Sequence, residues 1–289
     1  SCIVSVLKLS PFGGFFYGEN KLMQILIPTY GRKAKQTTWD NLPPSVRERT
    51  KFVVQGKEWD DYWCRTQYPV VVLPEWITTV GPTRQWIIDN FMGKVLLLDD
   101  DLVFATRRQK DLGKFKPSTP EDIEEMVDTI EVTLDSIPVV GVCAREGGNR
   151  QTDYWSDNTR ITRVTGLDTR ILRHNGVRYD RTPVMEDFDM LLQMLKLGYP
   201  NVSLNNWVHN QGGSNTKGGC STYRTPEIQT EAANKLHELH EPFVKVVKKT
   251  TKTAWGGGER TDVNVQWKRA FKFGQANLLD QRAILSKAQ

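Results

Sequence analysis

The stretch Lys94-Val95-Leu96-Leu97-Leu98-Asp99-Asp100-Asp101-Leu102-Val103 decides the fold. Its four consecutive apolar residues, 95–98, have the character of a strand covered on both faces, and three carboxylates stand where that strand leaves its sheet. Like charges this close repel and resist burial, so the position calls for neutralisation. The economical candidate is a divalent cation with oxygen ligands, Mg²⁺ or Mn²⁺, with phosphates on its far side. A solvated acidic turn is the competing reading. The surrounding chain has to decide between them.

With 289 residues the chain can bury a sizeable core, and 38% hydrophobic, 25% charged and 10% aromatic residues are ordinary for a globular protein. The net charge of +5 permits a polyanionic partner without demanding one. Cys2, Cys64, Cys143 and Cys220 form no C-x-x-C pair, which argues against a zinc knuckle or disulfide framework and suits a reducing cytoplasm. No apolar run reaches the roughly 18 residues that span a bilayer, so no membrane partner is expected. Residues 1–22 lack the pattern of a signal peptide and are treated as an N-terminal extension, with Met23 a candidate start.

Residues 24–27 form a first buried strand, closed by Pro28, which leaves Thr29, Tyr30 and Arg32 in the loop at its carboxyl end. Further strands are expected at 51–55 and 70–73, with a helix opening at Gly81-Pro82-Thr83-Arg84 before the central strand. This strand–helix alternation is the rhythm of a Rossmann-like, mostly parallel sheet, in which ligands collect beyond the carboxyl ends of strands. No G-x-G-x-x-G or P-loop signature accompanies it. Later, the spacing predicts helices over 120–137, 187–197 and 226–247, strands at 139–143, 161–166 and 202–204, and a loop over 145–159 carrying Tyr154 and Trp155. The division expected is 1–22, a catalytic domain over 23–225, and a helical, basic extension over 226–289.

Four features fall at strand ends or adjoining loops: Thr29-Tyr30-Gly31-Arg32, Arg84, Asp99-Asp100-Asp101 and Glu186-Asp187. His209 follows the last clear strand. In this order they resemble the GT-A type glycosyltransferases, and the passage from Gly176 through Glu186-Asp187 to Gly198-Tyr199 resembles that family's acceptor-side motif. The likeness covers roughly 23–215. It implies a Rossmann-like α/β sheet flanked by helices and a nucleotide-diphosphate sugar donor, most simply a UDP-sugar. Asp99 and Asp101 would hold the metal, with His209 matching the histidine some members use as third ligand. Pro28, Thr29, Tyr30, Arg32, Gln55, Arg84, Asp99 and Asp100 would contact the donor. Asp187, then Glu186, would be the base of an inverting displacement. Asp100 is the carboxylate expected to matter least. Where the family has an Asp after the second strand, Gln55-Gly56 stands instead.

On overall impression the chain resembles the phage TET-associated DNA glycosyltransferases, which implies transfer to 5-hydroxymethylcytosine in double-stranded DNA within the host cytoplasm. Arg145, Arg150, Arg160 and Arg163 with Tyr154 and Trp155, and the lysines at 245, 248, 249 and 252, suit such a polyanion. An extruded base would reach Asp187, with Trp155 or Tyr154 filling the gap. A glycan acceptor is the alternative, and a non-catalytic DNA-binding protein the alternative of another class. A nucleotidyltransferase should show a second acidic strand, and none is found. His237 and His240 are taken as surface or packing residues.

Overall fold

The computed structural model describes residues 22–66, 68–211, 219–251 and 258–287. The extension ahead of residue 22 and the glycines Gly256 and Gly257 thus lie outside the described residues. In chain order the elements are β1 (Gln24–Pro28), α1 (Thr37–Asn41), α2 (Pro44–Arg47), β2 (Thr50–Gln55), α3 (Trp59–Thr66), β3 (Val70–Leu73), α4 (Val80–Asn90) and β4 (Lys94–Leu98). Next come β5 (Leu102–Arg108), β6 (Asp111–Pro117), α5 (Pro120–Thr133), β7 (Val139–Ala144), β8 (Trp155–Asp157), β9 (Val164–Asp168), α6 (Thr169–His174) and α7 (Glu186–Lys196). The chain continues through β10 (Asn201–Gln211), α8 (Pro226–His240), β11 (Val244–Thr251), β12 (Gly258–Val265) and α9 (Trp267–Lys287).

One sheet runs in the order β3-β2-β1-β4-β9-β7-β10-β5-β6, with β8 paired to β10. Strands β3, β2, β1 and β4 are mutually parallel, as are β7 and β10, while β9 and β5 are antiparallel to their neighbours. This is the mixed, mostly parallel α/β sheet that the resemblance implies.

The central run of leucines is buried on both faces because successive side chains of a strand point opposite ways. Leu96 and Leu98 join a core with Ile123, Met126, Val127 and Ile130 of α5. Val95 and Leu97 join a second core with Ile87 and Ile88 of α4 and Leu191 and Met194 of α7. Helix α5 starts at a capping box in which the Thr119 hydroxyl accepts from the Asp122 amide and the Asp122 carboxylate accepts from the Thr119 amide.

Five features depart from or add to these expectations. Residues 102–117 form the β5–β6 hairpin, with β6 at the sheet edge, and the 145–159 loop contains β8. The helix expected over 226–247 stops at His240, because Pro242 holds Glu241 extended, and the chain then enters β11. Strand β10 runs on to Gln211, so His209 lies within a strand. The C-terminal extension is a helix, an antiparallel hairpin (β11 with β12) and a second helix.

That extension packs against α7. Val184, Phe188, Leu192 and Leu195 form a third core with Ala232, Leu236, Val244, Val263 and Ala270. A polar tie lies beside it: fully buried Asp189 accepts hydrogen bonds from Arg181 at 2.5 Å and from His240 Nε2 at 2.6 Å. Burial lowers the pKa of His240, against the pull of Asp189. Where α9 crosses α7, a Cβ on Gly274 would stand 2.3 Å from the Leu195 carbonyl and 2.6 Å from the Gly198 amide. Both are backbone atoms and cannot step aside.

Gly274→Ala therefore sets helix propensity, which favours Ala by up to about 1 kcal/mol, against overpacking. The backbone contact should win. The expected outcome is a net loss of about 1–3 kcal/mol, measured as a lower midpoint in urea unfolding. A gain in stability would show that α9 does not dock on α7 as described.

Candidate functional site

The carboxyl ends of β1, β2, β3 and β4 open on a cavity of about 540 Å³, whose lining includes every expected site residue except His209. Asp99, Asp100 and Asp101 form its floor just after β4, and Glu186-Asp187 stand on the opposite wall at the start of α7. Two residues that place these groups carry left-handed backbones without being glycine: Arg163 at φ 67° and Met185 at φ 64°. Such conformations are costly for side-chain-bearing residues and concentrate at functional sites. The Arg163 carbonyl accepts from the Asp99 amide at 2.9 Å, and Met185 immediately precedes Glu186.

Arg84 joins the two walls. It donates to Glu186 Oε1 at 2.7 Å and to Asp99 Oδ1 at 3.2 Å, with its guanidinium carbon 5.8 Å from the ring centre of Tyr179. Burial works against the charged guanidinium, but Glu186 and Asp99 more than offset it, and its pKa lies above the ordinary arginine value. Burial pushes the Asp99 carboxyl up to about 6, with Arg84 opposing and Asp101 and Asp100 adding to the rise. Burial likewise pushes Glu186 up to about 7, opposed by Arg84 and reinforced by Asp187. Glu186 is thus committed to Arg84. Asp187 is the half-buried carboxylate turned to the cavity, its Oδ1 accepting from the Phe188 amide at 3.0 Å.

Asp100 departs from expectation. It is 6% exposed and accepts from the Thr29 hydroxyl and from Arg32 Nη1, each at 2.5 Å. The same Arg32 nitrogen reaches Asp101 Oδ2 at 2.8 Å. Gln36 Nε2 donates to the Thr29 hydroxyl at 3.0 Å, which closes a buried network with Tyr62. Rather than mattering least, Asp100 ties the β1 loop to the β4 turn. Thr29 and Arg32 are correspondingly held by protein groups, although both line the cavity. Tyr30 remains at the rim beside Lys57, whose Nζ lies 4.7 Å from the ring centre. Gln55 donates to the Thr78 carbonyl at 3.0 Å.

His209 is the clearest correction. Its Cα partners are Phe104 of β5 and Ala144 of β7, and the side chain is fully buried away from the cavity lining. Burial, then the nearby Arg163, pushes its pKa down to about 3, so the ring is neutral. Among the described residues no group of three His, Cys, Asp or Glu side chains is arranged to hold a metal. Asp99 and Asp101 still share the cavity floor, and one or two carboxylates plus substrate phosphates are a common Mg²⁺ environment.

The sequence reading missed Tyr223, Arg224, Gln229, Arg260 and Asp262, which wall the cavity from the C-terminal side. The Tyr223 hydroxyl accepts from the Val80 amide at 3.2 Å, and Arg260 donates to Asp262 at 2.7 Å. The alternation of Val244 and Val246 with Val263 and Val265 was the available signal for a hairpin, though nothing in it pointed to the cavity. Arg160 and Arg163, expected on an outer basic loop, line the cavity. Tyr154 and Trp155 do not, and Trp155 lies out on β8.

With the sheet and these facing acids in place, comparison with known proteins assigns the class: the chain is a glycosyltransferase. It belongs to the TET-associated glycosyltransferase family, whose model matches residues 23–219. A beta-glucosyl-HMC-alpha-glucosyl-transferase of Enterobacteria phage T6 is 23% identical over 237 residues, covering 75% of this chain and 80% of the relative. The phage T2 protein of the same name is 22% identical over 235 residues, with the same coverage. Among solved structures, a CMP:2-keto-3-deoxy-manno-octonic acid synthetase complexed with CTP aligns at TM-score 0.37 and 10% identity, over 63% of this chain and 88% of that one. That likeness is too distant to bear on the site.

The two inner aspartates should separate by phenotype. Asp100→Ala leaves Arg32 and Thr29 without their buried acceptor and should cost about 3–5 kcal/mol in stability. Asp101→Ala removes a more exposed partner and should cost about 1 kcal/mol or less, while abolishing turnover. Equal melting shifts for the two would contradict the assignment.

A pH effect follows from Glu186. A carboxyl held near 7 in the fold, against the ordinary 4.5, keeps its proton where the unfolded chain has lost it. Its favourable contribution is complete below about pH 4.5 and is lost as pH rises toward 7. Glu186→Gln should flatten that decline, read as melting temperature against pH on the metal-free protein. Parallel curves for the two proteins would count against the buried, proton-holding carboxyl.

Proposed function

We propose that the enzyme moves a sugar from a nucleotide-diphosphate donor, a UDP-sugar, to a 5-hydroxymethylcytosine-type base of phage DNA by inverting displacement. The observation that carries this reading is the Arg84 bridge, which holds the carboxylates after β4 and the acidic pair of α7 in one cavity. Tyr30 offers a ring for the nucleoside, and Arg84 and Arg163 offer positive charge to the diphosphate. Mg²⁺ or Mn²⁺ held by Asp99 and Asp101 together with the diphosphate would neutralise charge growing on the leaving group. With no third protein ligand among the described residues, metal affinity in this reading depends on the bound nucleotide.

The residues divide the transfer between them. Asp187 accepts the proton of the acceptor hydroxyl as that oxygen bonds to the anomeric carbon. The bond from that carbon to the phosphate oxygen breaks, and its electron pair leaves with the nucleoside diphosphate. Arg84 stabilises the departing charge. The positive end of the α7 dipole favours an ionised Asp187 before the proton arrives.

A second reading has its own support. The phage T2 and T6 relatives are named for α-glucosyl transfer to an already glucosylated base, which favours a sugar hydroxyl on DNA as acceptor and an α-linked product. Transfer with retention would have the departing phosphate, rather than Asp187, take the acceptor proton. A glycan acceptor without DNA remains the third possibility.

The test incubates purified protein and Mn²⁺ with labelled UDP-sugars and three duplexes: unmodified, hydroxymethylated and glucosyl-hydroxymethylated. Label should enter one or both modified duplexes and not the plain one, and chelation should stop it. Transfer to none of the three would remove DNA as acceptor. The anomer of the product, read by NMR, separates the displacement modes. In the inverting mode Asp187→Ala should reduce turnover about 10²–10⁴-fold; an unreduced rate would remove Asp187 as base.

A further inference from the structure

A second cavity, of about 460 Å³, adjoins the first between the β5–β6 hairpin and the 145–149 segment. Its side chains are Arg108, Lys114, Phe115, Arg145, Glu146 and Asn149. Glu146 lines both cavities, so the two are neighbours. The groove is cationic, and the cause lies beneath it. Arg107 is only 6% exposed, and its guanidinium donates to three backbone carbonyls: Asn205 at 2.8 Å, Gly148 at 3.1 Å and Leu112. The guanidinium carbon lies 4.6 Å from the Phe115 ring centre. No carboxylate among the described residues pairs with it.

Carbonyls satisfy its hydrogen bonds but do not cancel its charge. A buried charge without a counterion is costly. Above Arg107, Arg108 and Arg145 are exposed and form no ion pair among the described residues, and Lys114 pairs with Asp111 at 2.8 Å. The lining thus holds three cations against one acid, Glu146, with Arg107 buried against Phe115 and Asp111 paired to Lys114. Edge strands are often blunted with lysine, which accounts for Lys114. It does not account for Arg107, whose side chain is turned inward. The lysines of β11 are less available: Lys248 donates to Thr261 at 2.8 Å and Lys249 pairs with Asp262 at 3.2 Å.

We propose that this groove grips the phosphodiester backbone of the duplex acceptor beside the nucleotide whose base enters the main cavity, an inference that rests on DNA being the acceptor. A base must leave the stack to reach a recessed site, and the displaced backbone has to be held while it does so. Arg108, Lys114 and Arg145 contact phosphates. Arg107 supplies a fixed positive field and joins the hairpin to the 145–149 segment. The occupant is a polyanionic strand and not the donor, because the cluster after β4 lies in the neighbouring cavity.

The experiment titrates salt against duplex binding, by fluorescence anisotropy, for the wild type and two triple variants. One carries Arg108→Ala, Lys114→Ala and Arg145→Ala. The other carries Lys268→Ala, Arg269→Ala and Lys272→Ala on the exposed side of α9 and removes the same charge elsewhere. All six side chains are exposed, and melting curves verify that both variants fold. The groove variant should bind at least tenfold more weakly, and its slope of log affinity against log salt should shrink by about 2–3, at roughly 0.9 per lost phosphate contact. The α9 variant should keep the wild-type slope. An unchanged slope in the groove variant, or equal losses in both, overturns the groove. Sugar transfer to modified duplex by the wild type tests the acceptor separately, so a wild type that glycosylates DNA beside a groove variant that binds normally would sink this inference alone.

Discussion

One guanidinium sets the charge state of the site. Arg84 lies between Asp99 and Glu186, and it opposes the rise in pKa that burial imposes on both carboxyls. Unit charges about 4 Å apart interact by about 4 kcal/mol at the effective dielectric near a protein surface. Even with that attraction the carboxyls hold their protons to about 6 and about 7. Without it both acids would hold their protons to still higher pH, and the cavity would lose the cation that touches both of them. Every other feature of the cavity is arranged around this bridge: α4 presents Arg84 from one side, the β4 turn presents Asp99 from below, and α7 presents Glu186 from the opposite wall.

Precision of that kind needs rigid supports, and the cores supply them. Strand β4 is locked by two cores at once, because its alternate residues serve opposite faces of the sheet. Helix α7 is locked by the third core and by Asp189, which Arg181 and His240 hold from two elements. Beside the site, backbone strain falls in the short connections, at Arg163 and Met185. Neither position advertises itself in the sequence, since a left-handed arginine or methionine is imposed by its neighbours.

What was legible followed from local pattern. Residues 25–27 and 95–98 read as buried strands because an all-apolar run followed by proline or acids has few other stable uses. The placement of Thr29, Arg84, Asp99 and Glu186 at strand or helix ends then put them in one cavity by topology. What was not legible depended on partners remote in the chain. His209 sits between β5 and β7, and only the pairing of 102–108 with β10 shows that it is interior. Asp100 looked dispensable as the middle of three aspartates, whereas its role comes from Arg32 and Thr29, about seventy residues earlier. The hairpin of 102–117 is rich in charge on an exposed edge, so its strand alternation carries little hydrophobic contrast.

The C-terminal extension enters the site by the same route. The family model ends at residue 219, yet Tyr223, Arg224, Gln229, Arg260 and Asp262 line the cavity. These residues reach it because α8 and the β11–β12 hairpin cover the apolar face of α7, and covering that face brings Arg260 and Asp262 into the cavity lining. That wall of the cavity is therefore built from sequence outside the matched segment. Asp99, Arg84 and Glu186 lie within the matched segment, whereas Tyr223, Arg224, Gln229, Arg260 and Asp262 lie beyond it. Such a division lets that wall change through replacement of the extension while the Asp99–Arg84–Glu186 bridge stays as it is.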